Sequence, residues 1–179
     1  MNIGCGSNLK LGWINIDLFD KADLQLDLRE PLPFAAESVQ QIYSEHFFEH
    51  LEYPGQALDF LKESLRILQP KGLFSIVVPD TEWPLKSYAN QDEEYFFIAR
   101  KLWHPVWCNT RMHNLNYHFR QGREHKYAYD FETLSQILSE IGFVSILRRS
   151  FNPAIDDESR RIGSLYVDAY KLKRELDGR

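Results

Sequence analysis

The first seventeen residues, MNIGCGSNLKLGWINID, constrain the fold more than any other stretch. A short apolar run at Met1 and Ile3 enters a glycine turn, Gly4-Cys5-Gly6. A second apolar run, Trp13, Ile14 and Ile16, ends on a carboxylate, Asp17. In open α/β sheets, ligands bind beyond the carboxyl ends of the strands, and glycine lets the backbone approach them. An acid closing the second strand is placed to hold ribose hydroxyls. The chain therefore opens on what reads as half of a nucleoside-binding site.

The rest of the chain extends this pattern. Residues 2–4, 14–17, 24–27 and 41–44 read as short strands. Ala57, Leu58, Leu61, Leu65 and Leu68 recur at helical spacing, which predicts a helix over 54–68, stopped by Pro70 and Gly72. Residues 73–78, LFSIVV, read as a buried strand. Asp130 is a good N-cap for a helix over 132–141, which Gly142 ends. Residues 143–148 and 165–170 read as a final antiparallel pair. This alternation predicts a Rossmann-like α/β fold: a seven-stranded, mostly parallel sheet with an antiparallel last strand and helices on both faces. One link is short. Seven residues separate Gly6 from Ile14, whereas parallel strands usually need a dozen or more to cross over. Either residues 8–12 form a helical turn or the strand limits shift.

Residues 81–129 break the alternation. They hold eleven aromatic residues and four of the six histidines, His104, His113, His118 and His125. We read 1–179 as one domain with 81–129 as an inserted cap for substrate. Satellite core packing is the structural alternative for the same rings. A net charge of −5 disfavours a nucleic-acid-coating surface. Two cysteines, Cys5 and Cys108, form no disulfide framework. No apolar run approaches the roughly 18 residues of a membrane span, and no leader is visible. These features predict a cytoplasmic protein.

The order of the motifs resembles the class I S-adenosylmethionine-dependent methyltransferases, in particular a small methyltransferase type 11-like group. NIGCG at 2–6 is similar to the glycine motif of the first strand, and NID at 15–17 to the ribose-binding acid. LDLREPLPF at 26–34 resembles the third-strand element, and IYSEHFFEHL at 42–51 the motif beside the transferred methyl. LRILQPKG at 65–72 is similar to the helix, proline-glycine and fifth-strand signature. The resemblance implies a cofactor site of Asn2, Gly4, Cys5, Gly6, Asp17, Asp27, Leu28 and Ser44. In it Asp27 faces the adenine amino group and Leu28 its ring. It further implies S-adenosylmethionine as methyl donor and S-adenosylhomocysteine as product. Asn2 stands where the family often has an acid, Asn8 where it has a third glycine, and no family-type helix precedes the first strand. That helix commonly covers the cofactor, so weak cofactor cover is expected.

Methyl transfer is an in-line displacement, so positioning carries much of the rate. A neutral nucleophile also needs a base. His46 is the first candidate, with Glu45 second and His50 behind it; a helix-capping His46 is the structural alternative. His113, Asn114, Tyr117, Arg120 and Arg123 are candidate contacts to a small-molecule acceptor. The basic residues of that segment point to an acidic or phosphate-bearing one. An exposed aromatic patch on the cap would favour a homodimer. Residues 46–50 spell H-x-x-E-H, but a zinc protease needs both histidines on one long helix plus a third ligand, so no metal is expected. A nicotinamide site lacks its third glycine. The alternative from another class is a non-catalytic binding or scaffold protein that retains the fold.

Overall fold

The computed structural model describes residues 1–173; residues 174–179, the end of the range read as one domain, lie outside the described residues. Seven strands form one sheet: β1 (Asn2–Ile3), β2 (Asn15–Asp17), β3 (Leu24–Gln25), β4 (Val39–Glu45), β5 (Leu68–Pro79), β6 (Phe143–Arg148) and β7 (Ser164–Lys171). Their order is β3-β2-β1-β4-β5-β7-β6. β7 runs antiparallel to β5 and β6, and every other pairing is parallel. The mixed sheet expected from the sequence is therefore present. Among the described residues five α-helices accompany it: α1 (Gly55–Ile67), α2 (Glu82–Ala89), α3 (Glu94–Leu102), α4 (Arg111–Arg120) and α5 (Phe131–Ile141).

Helices α1 and α5 form where the periodicity predicts. Asp130 accepts the Thr133 N–H at 2.8 Å and so caps α5, while Gly142, at φ +111°, ends it. Ala57, Phe60 and Leu61 of α1 pack with Leu134, Ile137 and Leu138 of α5. Both meet Ile42, Phe74, Ile76, Val78, Leu165 and Val167 on one face of the sheet. Alternate residues Tyr43, Val77 and Tyr166 point to the other face, as the two-residue strand period requires.

That second face is covered by loop side chains, Trp13, Phe151 and Ile155. The short link between Gly6 and Ile14 adds no helix to this face. It crosses from β1 to β2 through turns, with neither a helical turn nor a crossover helix.

A polar lock holds the 149–157 loop on this face. Arg149 donates to both oxygens of Asp156, at 2.6 and 2.7 Å, and to Asp168 at 3.1 Å. The Tyr43 hydroxyl and the Asn152 N–H also donate to Asp156. Burial pushes the Asp156 carboxyl up, but these hydrogen bonds outweigh it and hold the carboxyl below its ordinary range. Its contribution is therefore present above the unfolded value near pH 4 and is lost as pH falls through the lower folded value. Removing one partner of a buried pair costs several kcal/mol. Asp156→Ala is expected to cost about 3 kcal/mol, because Arg149 keeps Asp168. The expected fall in Tm is about 6 to 12 °C. Thermal unfolding at pH 7 and pH 3 checks both points: the variant's deficit shrinks in acid.

Helices α2, α3 and α4 follow β5 and share their own cluster of Tyr95, Phe96, Ala99 and Leu115, flanked by Trp83, Trp103 and Phe119. Many of the rings of 81–129 are spent on this internal core. Among the described residues no helix is long and apolar enough to cross a membrane.

Candidate functional site

The glycine turn leaves β1 with both glycines in the left-handed region, Gly4 at φ +67° and Gly6 at +47°. The two have different surroundings. A Cβ on Gly4 would lie 2.3 Å from Cγ of Phe47, so Gly4 makes room for that ring. A Cβ on Gly6 would meet nothing within 4 Å. The Gly4 and Cys5 N–H groups donate to the Ile16 carbonyl. Asp17, half-buried at the end of β2, accepts the Gly6 N–H at 2.8 Å and the Phe19 N–H at 3.0 Å. Each of its oxygens keeps further acceptor capacity. At the end of β4, Ser44 Oγ is fully buried with no hydrogen-bond partner among the described residues.

The remaining expected cofactor residues have partners within the protein. Asn2 donates to the Asn8 carbonyl and to Asn15, each at 2.9 Å, and so braces the loop. Burial pushes the Cys5 thiol up to about 11, which keeps it protonated. Asp27 takes a forked pair from Arg29, at 2.8 and 2.6 Å, which holds its carboxyl at about 2. Leu28 packs into the main core.

Beyond β4 the chain turns sharply. His46 has φ +52°, an uncommon conformation for a residue with a side chain. Its N–H still reaches Val77 of β5, while Nε2 meets Ser164 Oγ of β7 at 2.8 Å. Burial, then Arg160, holds its ring well below the ordinary histidine range, so it is neutral at pH 7. Glu45 is buried and braced: it accepts from Asn8 at 3.0 Å and from the Asp157 N–H at 3.2 Å. Its own carbonyl accepts from Arg160 Nη1 at 3.0 Å.

His46 lines a cavity of about 660 Å³. The opposite walls are Trp103, His104, Tyr117 and His118 from the cap, Arg160 from the loop before β7 and Ser164 at the start of that strand. The cap closes on the sheet where Trp103 lies over Gly163; a Cβ there would sit 2.9 Å from the indole. Of the five expected acceptor contacts, only Tyr117 lines this cavity. His113 is exposed and bonded to Asn109. Asn114 is buried between His104 and the carbonyls of Cys108 and Thr110, at the start of α4. Arg120 and Arg123 are exposed. Beside the cavity, ligand atoms of Glu49, His50 and His125 lie within 4.8 Å of one another. The H-x-x-E-H stretch itself is a bend after β4 and a three-residue 3-10 turn, Phe48–His50, rather than an α-helix.

Residues 1–76 match the methyltransferase domain family. A S-adenosylmethionine-dependent methyltransferase of Archaeoglobus fulgidus superposes with a TM-score of 0.59 at 16% identity, covering 95% of this chain and 84% of that one. This is the class I S-adenosylmethionine-dependent methyltransferase fold. A chain from the complex between the Haloferax volcanii Trm112 methyltransferase activator and a methyltransferase gives a TM-score of 0.50 at 16% identity. A Bordetella parapertussis protein gives 0.52 at 14%. Each match covers 83% of this chain, but the chain spans only 60% and 43% of theirs. No curated protein matches.

Three features of the methyltransferase fold here suit an adenosyl cofactor: the open space at Gly6, the spare acceptor capacity of Asp17 and the orphaned Ser44 hydroxyl. Sequence reasoning missed Arg160, Ser164, Trp103 and His118 as cavity walls. The density of histidines in 104–125 was the available signal for His118. Nothing local marks Arg160 or Ser164, which reach His46 across more than a hundred residues of chain.

Proposed function

We propose that this chain transfers a methyl group from S-adenosylmethionine to a small acceptor held in the 660 Å³ cavity. The observation that carries this reading is the position of His46. It follows the end of β4 beside Ser44 and the glycine turn, and forms a wall of the cavity. Gly6, Asp17 and Ser44 would hold the cofactor, Asp17 by the ribose hydroxyls. When bound, the cofactor supplies an electrophilic methyl on a sulfonium. The cavity positions the acceptor and excludes water. His46, neutral and oriented by Ser164, takes the acceptor's proton if the nucleophile is a neutral oxygen or nitrogen. Glu45 braces the loop that carries Arg160. The Arg160 guanidinium hydrogen-bonds only through Nη1 among the described residues, which leaves donors for an anionic group on the acceptor. The acidic-acceptor reading thus rests on Arg160 rather than on Arg120 or Arg123.

Supply of methyl-labelled cofactor with fractionated small metabolites tests this. Wild type is expected to label a product in one fraction, and His46→Gln to lose about 10²- to 10⁴-fold in rate with cofactor affinity kept. Arg160→Lys is expected to raise the acceptor's KM about 10- to 100-fold, the worth of one charged hydrogen bond. The second reading is a non-catalytic binding protein. It draws support from the likeness to a chain of the Haloferax complex. Cofactor binding without a labelled product in any fraction would favour it.

A further inference from the structure

Glu49 is 2% exposed, and neither of its carboxylate oxygens has a hydrogen-bond partner among the described residues. Burying a carboxylate without a partner is costly, and such groups are normally paired or hold a metal. Burial pushes this carboxyl up to about 8. The nearest groups to Oε1 are His46 Nδ1 and His50 Nε2, each at 3.8 Å. That is too long for a hydrogen bond. It is close to the roughly 3.4 Å that separates two donors each about 2 Å from one ion.

The histidines are oriented as metal ligands are. Nδ1 of His50 meets the Glu124 carbonyl at 3.2 Å, and Nδ1 of His125 meets the His118 carbonyl at 2.9 Å. A carbonyl only accepts, so Nδ1 carries the hydrogen in both rings. Each Nε2 is left with a free lone pair, the arrangement that outer hydrogen bonds impose on metal-bound histidine. The two rings stand edge to face, 5.2 Å apart. Lys126 and Tyr127 donate their N–H groups to the Glu49 carbonyl, which fixes the segment of His125 against the turn of Glu49 and His50. A cavity of about 10 Å³ adjoins them, lined by Glu49, His118, His125 and Tyr129. It has room for about one water or ion. His118 Nε2 and the Tyr129 hydroxyl, both buried, also have no partner among the described residues.

We propose that Glu49, His50 and His125 bind one divalent transition-metal ion of the zinc class, which clamps the cap onto the carboxyl end of the sheet. Two imidazoles and a carboxylate suit zinc, cobalt or nickel better than magnesium or calcium. Three protein ligands leave a position for water, for His46 or for an acceptor atom. His125 lines both this site and the large cavity, so the open position adjoins the acceptor. This is the third ligand that the H-x-x-E-H stretch lacks on its own. The inference does not depend on methyl transfer.

The test uses full-length, tag-free protein, stripped by chelator and titrated with cobalt(II) while visible absorption is followed. Thermal unfolding with and without zinc runs in parallel. Wild type is expected to saturate at one equivalent and to unfold several degrees higher with zinc. Glu49→Gln, His50→Ala and His125→Ala are each expected to bind cobalt at least about 100-fold more weakly, since an outer partner alone is worth about 10- to 100-fold. His113→Ala, outside the cluster, binds as wild type. His50 is partly exposed, so its variant tests the site even if Glu49→Gln or His125→Ala fails to fold. No saturable spectrum in folded wild type, or binding that His50→Ala leaves unchanged, overturns the proposal.

Discussion

Asp17→Ala is expected to raise the dissociation constant for S-adenosylmethionine at least about 100-fold. The carboxylate stands at the end of β2 with one oxygen oriented by the Gly6 N–H and the other by the Phe19 N–H. Both oxygens keep acceptor capacity, to which two ribose hydroxyls would donate. A hydrogen bond to a charged acceptor is worth about 1.5 to 3 kcal/mol, so losing two exceeds the roughly 2.7 kcal/mol of a hundredfold change. The same substitution frees the Gly6 N–H, so circular dichroism must show the loop-bearing sheet intact. Asp17→Asn keeps the shape and one acceptor oxygen, and falls between the two. Calorimetric titration of the three proteins checks the order. Equal affinity in wild type and Asp17→Ala would remove Asp17 from the cofactor site.

Gly4→Ala is expected to be among the most destabilising single substitutions in the chain. Its Cβ would lie 2.3 Å from Phe47 Cγ, on a residue held at φ +67°. Left-handed strain costs about 1 to 3 kcal/mol, and overpacking typically adds about 1 to 3 kcal/mol. A total near 3 kcal/mol lowers Tm by about 6 to 12 °C in a chain of this size. Adding Phe47→Leu relieves the clash and not the backbone strain, so the double variant recovers part of the loss. Gly6→Ala separates stability from binding. It meets no neighbour and carries only the strain, taken at the lower end of about 1 to 1.5 kcal/mol, so Tm falls by only about 2 to 6 °C. Its methyl group enters the open space at Gly6, so cofactor affinity is expected to fall. Thermal unfolding together with cofactor titration distinguishes the two glycines. Similar Tm values for both variants would contradict the Phe47 argument.

The difference between these glycines shows where local sequence stops informing. The turn Gly4-Cys5-Gly6 and the acid Asp17 were legible, because a strand, a glycine turn and a strand-ending acid are contiguous. So were α1 and α5, whose apolar spacing and caps, Asp130 and Gly142, lie within the helices' own residues. That Gly4 makes room for Phe47 was not legible, since the contact joins two different strand ends. The loop-covered face of the sheet was equally hidden. It depends on pairs such as Tyr43 with Asp156, more than a hundred positions apart. In the cap, composition signalled aromatic density but not allocation. Tyr95 and Phe96 became an internal core, Asn114 a brace for α4, and Arg120 and Arg123 exposed residues outside the cavity. The cationic wall fell to Arg160 and Arg161, brought in by the loop before β7. The H-x-x-E-H stretch was visible as a pattern, but its meaning depends on His125, which only the folded cap brings near.

In the proposed function, cofactor and acceptor occupy adjoining compartments that meet at His46. A crystal structure with S-adenosylhomocysteine is the decisive measurement. Ribose hydroxyls are expected within hydrogen-bond distance of Asp17, sulfur near Ser44 and His46, and the 660 Å³ cavity left free. The ligand seated in that cavity instead, away from Gly6 and Asp17, would contradict it.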